Sequence, residues 1–220
     1  LFDKSDKEAA RLIHNDGIHI LIDLSGHTAN NRLPVFAWKP APIQISWLGY
    51  WATTGLPEID YLLGDPHVTP YDEANHFTEK IWQLPESFVC LTKPNVTLEV
   101  KPLPALSTRT ITFGCFNNLA KMTDEVVALR AKVLKAVPGS KLFLKAKQLG
   151  VASRRDAVLE RFSSHDITAD RLILEGSSPW AEYLASYNRM DIALSPFPHN
   201  GGATSAEGLW MGVPVLIKRG

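Results

Sequence analysis

Short apolar runs alternate with helical stretches from Arg109 to the end of the chain, and this pattern constrains the fold more than any other feature. The predicted strands are residues 110–116, 141–145, 171–175, 191–195 and 213–217. The predicted helices are residues 123–136, 152–162, 180–189 and 203–211. Strands that alternate with helices of this length are typical of an α/β fold with a doubly wound parallel sheet.

The first part of the chain shows the same alternation with shorter helices. A helix is predicted at residues 7–15, followed by a buried parallel strand at 18–24, a short helix at 30–38, and strands at 42–48, 59–65 and 80–84. Residues 92–108 contain three prolines and little apolar periodicity, which is typical of a linker. We therefore expect two lobes, at 1–95 and 109–220, joined by a linker at 96–108.

Composition excludes several classes of function. The 23 basic and 23 acidic residues cancel, so the chain lacks the charge field that attracts nucleic acid or a membrane surface. No apolar run approaches the length of a membrane span, and the N-terminus is not a signal peptide. The two cysteines lack metal-ligand spacing, so we expect reduced thiols and a cytoplasmic location.

A glycine turn precedes the last predicted helix. Gly201 and Gly202 let the backbone turn sharply, and the helix that follows begins with Ala203 and Thr204. A strand, a glycine turn and a helix N-terminus together make a potential anion site, because unpaired N–H groups and the positive end of the helix dipole meet there. Glu207, one helical turn further, is placed to accept hydrogen bonds from ribose hydroxyls. The alternative is a tight turn without a ligand.

A second loop carries polar side chains after the strand at 110–116. Lys121 follows Asn117 and Asn118, and both this loop and the glycine turn leave the carboxyl ends of parallel strands. Ligands of open α/β sheets bind in that crevice, so Lys121 is a candidate for contact with a phosphate. The alternatives are a solvated surface lysine and two ordinary turn asparagines.

Candidate residues in the first lobe lie around two strands. His19 falls within the first apolar strand, where a core histidine is the alternative to a catalyst. Asp16 precedes that strand, where an Asx turn is the alternative, and His27 follows it. The loop after the second strand suits a sugar or a peptide, although aromatic loops also close ordinary cores; its candidates are Tyr50, Thr53 and Thr54.

No recognised metal or nucleotide signature is present. Among the scattered histidines His14, His67, His76, His165 and His199 no pair has metal-ligand spacing, and the sequence has no Asp-x-Asp pair, no P-loop and no GxGxxG. If a nucleotide diphosphate binds, we expect Lys121 and helix-end amides, with no metal, to meet its charge.

Taken in order along the chain, these segments resemble the O-linked N-acetylglucosamine transferases, of the glycosyltransferase family 41 type. The segments similar to the first catalytic lobe are Ile18–Gly26, Pro40–Gln44, Trp47–Tyr50, Thr53–Gly55 and Asp60–Tyr61. The segments similar to the second are Cys115–Asn118 with Lys121, Asp191–Leu194, and Asn200–Thr204 through Leu209–Val215. The bacterial branch, in which these lobes usually follow tetratricopeptide repeats, is the most similar.

The resemblance implies a GT-B fold of two Rossmann-like lobes facing across a cleft, both expected to be incomplete in this chain. It also implies inverting transfer of GlcNAc from UDP-GlcNAc to protein serine or threonine hydroxyls, without a metal or another cofactor. The expected partners are therefore a UDP-sugar and a protein or peptide acceptor, with neither nucleic acid nor a membrane.

The resemblance further implies roles for individual residues. Lys121 matches the essential lysine on the diphosphate, His19 matches an active-site histidine, and Asp16 is its rival as the base. The positions implied for the donor are Asn118, Ser178, Trp180, Tyr183, Ser186, Gly201, Gly202, Ala203, Thr204 and Glu207. The positions expected on the acceptor side are His27, Tyr50, Thr53 and Thr54.

Four positions depart from the family pattern. Ala203 replaces a threonine, which removes a hydroxyl donor but keeps its N–H. The residues common in the family are also replaced at three other positions, Trp180, Tyr183 and Ser195. These differences leave the identity of the transferred sugar open. The enzymatic alternative is transfer of glucose from UDP-glucose to asparagine. The alternative from a different class is a non-catalytic, nucleotide-binding scaffold module.

Overall fold

The computed structural model describes residues 1–218, which form two compact units divided between Cys90 and Leu91. Each unit contains its own parallel sheet, covered by helices. The boundary lies ahead of the expected linker, and residues 96–108 pack on the second unit. There the Asn188 amide donates to Glu99 O and its oxygen accepts from Lys101 N, both at 2.9 Å.

The first unit is a four-stranded parallel sheet in the order β1-β2-β3-β4. Its strands are β1 (Ile20–Asp23), β2 (Ile43–Ser46), β3 (Tyr61–Gly64) and β4 (Lys80–Gln83). Its helices are α1 (Asp6–Asn15) and α2 (Leu33–Phe36), with a 3-10 helix at Tyr71–His76. Ser5 caps α1 in a capping box with Glu8, which fixes where this helix begins.

The prediction of a buried first strand is wrong in its burial. β1 is shorter than expected, and alternate residues Ile20 and Ile22 are 52% and 44% exposed. β1 is the edge strand of this sheet, and α1 and α2 pack on its other face, where Leu21 adjoins their core. A run of apolar residues therefore predicts a strand, but it does not predict whether one or both faces of that strand are covered.

The second unit is a five-stranded parallel sheet in the order β7-β6-β5-β8-β9. Its strands are β5 (Thr112–Cys115), β6 (Lys141–Lys145), β7 (Leu172–Glu175), β8 (Ile192–Leu194) and β9 (Val215–Leu216). Its helices are α3 (Ala105–Thr108), α4 (Asp124–Ala136), α5 (Ala152–Ser163), α6 (Trp180–Ala185) and α7 (Ala203–Trp210). The predicted helix 180–189 changes to a 3-10 helix at Ser186–Arg189.

The core of the second unit lies on both faces of its sheet. Along β6, Leu142 and Leu144 pack on one face with α4 and α5, while Phe143 packs on the other with Tyr187. This alternation follows from the period of two in a strand. Thr123 caps α4 by accepting from Val126 N, as its position in the sequence predicts.

The strand order places a topological switch point between β5 and β8. The chain moves outward from β5 through β6 and β7 in one direction, and through β8 and β9 in the other. The connections leaving β5 and β8 therefore diverge at their carboxyl ends and open a crevice between them. Residues 116–121 and 195–202 form these connections.

Candidate functional site

The site in the second unit is built where the loops after β5 and β8 meet. The ammonium group of Lys121 donates to the main-chain oxygen of Asn200 at 2.9 Å. The Thr204 hydroxyl donates to Asn117 Oδ1 at 3.2 Å, which links the first turn of α7 to the loop after β5. The structure thus brings together the predicted lysine, the predicted asparagine loop and the predicted glycine turn.

Glycine is favoured at position 201 because three atoms of the Thr204 and Asn117 side chains crowd the space that a side chain would occupy. A Cβ at this position would lie 2.8 Å from Asn117 Oδ1 and would also contact the Thr204 hydroxyl. The turn is further held by the Ser195 hydroxyl, which accepts from Gly201 N at 3.1 Å, and by Ser205, which donates to Gly201 O at 2.7 Å. Gly202 then caps α7, whose first amides point toward the turn.

The electrostatics of this turn favour an anion. Burial lowers the pKa of Lys121, although the neighbouring Cys115 opposes the shift. Burial, and then the positive charge of Lys121, lower the pKa of His199. A partly buried cation next to a helix N-terminus would be stabilised by an incoming phosphate, which supplies the missing negative charge.

A cavity of about 340 Å³ lies beside this turn at the carboxyl ends of β5, β6 and β7. The predicted residues Asn118, Ser178 and Tyr183 line it, together with Asn117. The buried Ser178 hydroxyl has no hydrogen-bond partner among residues 1–218. A buried hydroxyl without a partner is costly, so a ligand that pairs with it would be favoured.

The cavity is also lined by Gln148 and Lys145, which were not predicted as site residues although they lie at or just after the end of β6. Gln148 donates to Asn118 Oδ1 at 2.6 Å, and Asn118 also caps the 3-10 helix Leu119–Lys121 that carries the lysine. Lys145, at the end of β6, is buried and pairs with Glu175 at 3.2 Å. The rule that ligands bind at strand ends applies to β6 as well as to β5, and it would have found them.

Aromatic rings lie on the α6 side of the cavity, where Tyr183 lines it and the predicted Trp180 packs on Tyr183 without lining it. Trp180 and Tyr183 stack with ring centroids 5.5 Å apart and an interplanar angle of 19°. The Tyr183 hydroxyl donates to Glu207 Oε2 at 2.8 Å. Glu207, the residue predicted to bind the ribose, therefore lies beside the cavity wall. Ser186 differs from expectation: it is buried, donates to Glu182 O at 2.7 Å and does not line the cavity.

Remaining donor-site candidates occupy the start of α7. Ala203 is the first residue of the helix and is exposed, so its N–H lies at the helix terminus.

In the part of the chain that the structure describes, no group of three or more His, Cys, Asp or Glu side chains could hold a metal ion.

The candidates of the first unit fall at opposite ends of β1. Asp16 caps the end of α1, and His19 is an exposed residue immediately before β1. His19 is therefore not a core histidine. His27 follows the other end of β1, where its Nε2 lies 3.0 Å from Thr53 O and its ring packs edge-on against Tyr50.

A buried carboxylate, Glu79, organises the threonine loop of the first unit. Its Oε1 accepts from Thr54 N at 2.7 Å and from the Thr54 hydroxyl, and its Oε2 accepts from the Thr53 hydroxyl at 2.7 Å. Glu79 is 4% exposed. The two threonine hydroxyls thus hold the loop, while Tyr50 stacks on Trp51.

Comparison with known proteins gives one family. Residues 3–101 match the model of Glycosyl transferase family 41. A probable UDP-N-acetylglucosamine–peptide N-acetylglucosaminyltransferase SPINDLY of Eustoma exaltatum subsp. russellianum is 42% identical over 98% of the chain. The protein SEC of Arabidopsis thaliana, which carries the same enzyme name, is 32% identical over 96% of the chain. The chain spans 24% and 22% of these relatives, or about a quarter of their length.

Solved structures agree with the sequence comparison. An O-GlcNAc transferase of Thermobaculum terrenum, solved as a lysine-to-methionine mutant, is 36% identical with a TM-score of 0.93, over 100% of this chain and 42% of its own. The lipopolysaccharide galactosyltransferase WaaB is 13% identical with a TM-score of 0.60, over 96% of this chain and 59% of its own, and shows the fold alone. The predicted α/β fold class of the GT-B type is confirmed.

Proposed function

Because the chain belongs to glycosyl transferase family 41, we propose that this protein transfers GlcNAc from UDP-GlcNAc to serine or threonine hydroxyls of proteins or peptides. The observation that carries the proposal is the contact of Lys121 Nζ with Asn200 O at the turn before α7. It places a cation, a glycine turn and a helix N-terminus in one crevice, which is the arrangement that a diphosphate needs.

We assign the parts of the donor to neighbouring groups. The diphosphate contacts Lys121, the first amides of α7 and the Thr204 hydroxyl. The uridine lies in the cavity against Ser178 and Tyr183, with Trp180 extending the aromatic wall. The ribose hydroxyls donate to the Glu207 carboxylate, which lies beside that wall through its bond to Tyr183.

The proposed reaction is a single inverting displacement. The acceptor hydroxyl attacks the anomeric carbon, the bond from that carbon to the β-phosphate oxygen breaks, and UDP leaves with the electron pair. Lys121 and the amides at the start of α7 stabilise the negative charge that grows on UDP. The acceptor proton passes to the phosphate itself or to a base; His19 and Asp16, the rival candidates for that base, precede β1 and so lie at the opposite end of this strand from His27.

Metal independence is part of the proposal. Its support is the cationic Lys121 and the helix N-terminus, which together supply positive potential at the turn where the diphosphate would bind. His27 and Tyr50 are proposed to face the acceptor, since both follow the carboxyl ends of strands in the first unit. Thr53 and Thr54 shape that loop through Glu79.

The remaining parts of the proposal concern location and partners. No helix within residues 1–218 is long and apolar enough to cross a membrane. The proposed partners are a sugar nucleotide and a protein or peptide. The formal net charge is zero, which supports the proposal that neither nucleic acid nor a membrane is a partner. We propose a cytoplasmic location, supported by the two cysteines without a disulfide.

The proposal is tested by incubating the full-length protein with acceptor peptides and UDP-GlcNAc or UDP-glucose in EDTA, followed by mass spectrometry. A mass increase of one N-acetylhexosamine on serine or threonine is expected. A hexose on asparagine would instead indicate the UDP-glucose transferase. UDP binding without any transfer would indicate the scaffold module, which the missing hydroxyl at Ala203 favours.

A further inference from the structure

Tyr183, which lines the cavity, and Tyr187, which does not, form a hydrogen-bonded cluster with Glu207. Tyr183 and Tyr187 lie four residues apart, so their rings project from the same side of the helical segment that begins at Trp180. Their hydroxyls lie 2.8 Å and 3.1 Å from Glu207 Oε2 and 3.2 Å from each other. Two phenols thus converge on one carboxylate oxygen.

Tyr187 also contacts the first turn of α7. Its hydroxyl lies 3.1 Å from the main-chain oxygen of Thr204, the residue whose side chain bonds Asn117 at the glycine turn. The single phenolic hydrogen of Tyr187 therefore has two acceptors at the same distance, the carboxylate of Glu207 and the backbone of the turn proposed to hold the diphosphate. Tyr187 does not line the cavity, so its side chain is not expected to contact a ligand there directly.

Packing keeps the Tyr187 ring in place. It is 1% exposed, and its ring centroid lies 4.6 Å from that of Phe116, which itself packs edge-on against Phe143 at 5.0 Å. Burial, with the nearby Tyr183 and Glu207, raises the pKa of Tyr187. The phenol therefore stays protonated and remains a donor throughout the physiological pH range.

All hydrogen bonds recorded for the Glu207 carboxylate within residues 1–218 fall on Oε2. A carboxylate has about four acceptor sites over its two oxygens, so holding Oε2 orients the group and leaves Oε1 to accept from another donor. A ribose presents two adjacent hydroxyls, which are donors of the required kind.

We propose that Tyr187 is a positioning residue that fixes Glu207 for the ribose hydroxyls of the sugar nucleotide. The inference rests on the proposed function, because it takes the ligand to be a UDP-sugar. Tyr187 acts through Glu207. Recognition of the ribose then depends on the Tyr187 hydroxyl, although this hydroxyl does not touch the ribose. Losing that hydroxyl should therefore weaken binding of ligands that carry the ribose diol more than binding of ligands that lack it.

The test compares UDP with 2′,3′-dideoxy-UDP by calorimetric titration of the full-length protein. The wild type is expected to prefer UDP by about tenfold, the scale of a lost charge-assisted hydrogen bond. Tyr187→Phe should lower UDP affinity by about three- to tenfold and lower the affinity for the dideoxy nucleotide clearly less, so that the preference for UDP shrinks. Glu207→Gln should reduce the same preference, and the double variant should match Glu207→Gln, because the two residues act as one unit.

Tyr71→Phe provides the matched control, because Tyr71 is exposed in the first unit and undergoes the same chemical change. Equal losses for UDP and dideoxy-UDP in Tyr187→Phe would overturn the inference and indicate a structural role alone. Equal wild-type affinities for the two nucleotides would also overturn it while leaving the proposed function intact. Absence of UDP binding to the wild type would overturn the proposed function together with the inference.

Discussion

Lys121 Nζ lies 2.9 Å from the main-chain oxygen of Asn200, so the lysine of one sheet connection is held by the backbone of another. The contact orients the ammonium group toward the start of α7 before a ligand arrives. It satisfies one of the three N–H donors and leaves the others for a phosphate. This preorganisation reduces the side-chain entropy that binding would otherwise cost.

Binding of UDP should weaken at alkaline pH. Burial lowers the pKa of Lys121, so the lysine loses its proton at a lower pH than an ordinary lysine does. UDP prefers the charged form; its affinity is therefore full below the Lys121 pKa and falls as pH rises through it. Calorimetric titration at a series of pH values from neutral to alkaline should show this loss of UDP affinity. In Lys121→Arg the loss should move beyond these pH values, because arginine stays protonated. A pH profile that is identical in the two proteins would contradict this assignment.

Gly201→Ala should damage both stability and UDP binding. The added Cβ would be 2.8 Å from Asn117 Oδ1 and would displace the Thr204 hydroxyl. The Thr204 and Asn117 side chains would have to shift and lose their mutual hydrogen bond, which is worth about 1 kcal/mol of folding free energy in urea denaturation. Gly150→Ala is the matched control, because nothing lies within 4 Å of the Cβ that it adds. Equal UDP affinity and stability in the two variants would show that the turn is not tightly packed.

Glu79→Ala should destabilise the first unit. Removal of the carboxylate leaves Thr54 N and the hydroxyls of Thr53 and Thr54 without the acceptor they contact. Each unsatisfied buried group costs about 1–3 kcal/mol, so the free energy of unfolding should fall by at least about 2 kcal/mol in urea denaturation. Glu86→Ala, at an exposed glutamate nearby, should change it by less than about 0.5 kcal/mol. A small effect of both would mean that the loop does not depend on Glu79.

Gln148→Ala should lower UDP affinity less than Lys121→Met does. Gln148 donates to Asn118 Oδ1 at 2.6 Å, and Asn118 begins the 3-10 helix that carries Lys121. The substitution removes one neutral hydrogen bond, which is worth about 1 kcal/mol, or roughly a fivefold change in affinity by titration. An unchanged affinity would show that Asn118 holds its position without Gln148.

Sequence reasoning predicts the secondary-structure elements and the meeting of the two loops that carry Lys121 and Gly201. Alternating apolar and helical segments correctly give the parallel sheets, and Thr123 marks the start of α4. The loops carrying Lys121 and Gly201 meet, because parallel strands bring their carboxyl ends to one edge. These inferences depend on local patterns and on a general rule of topology.

Other features depend on contacts between residues that are distant in sequence. Glu79 reaches Thr54 across 25 residues, and Tyr187 reaches Glu207 across 20, and no local pattern marks either pair. The exposure of Ile20 likewise depends on what covers the sheet face, not on its apolar neighbours. Ser186 was expected on the nucleotide, but helix geometry turns its hydroxyl back to Glu182 O.

The most direct test of the account is a calorimetric titration of UDP into the full-length protein in the presence of EDTA. Saturable binding is predicted for the wild type and for Lys132→Met, which changes an exposed lysine on α4. Lys121→Met should bind at least about tenfold more weakly, because it removes the cation from the diphosphate. Wild-type affinity in Lys121→Met, or no UDP binding by the wild type, would contradict the proposed site.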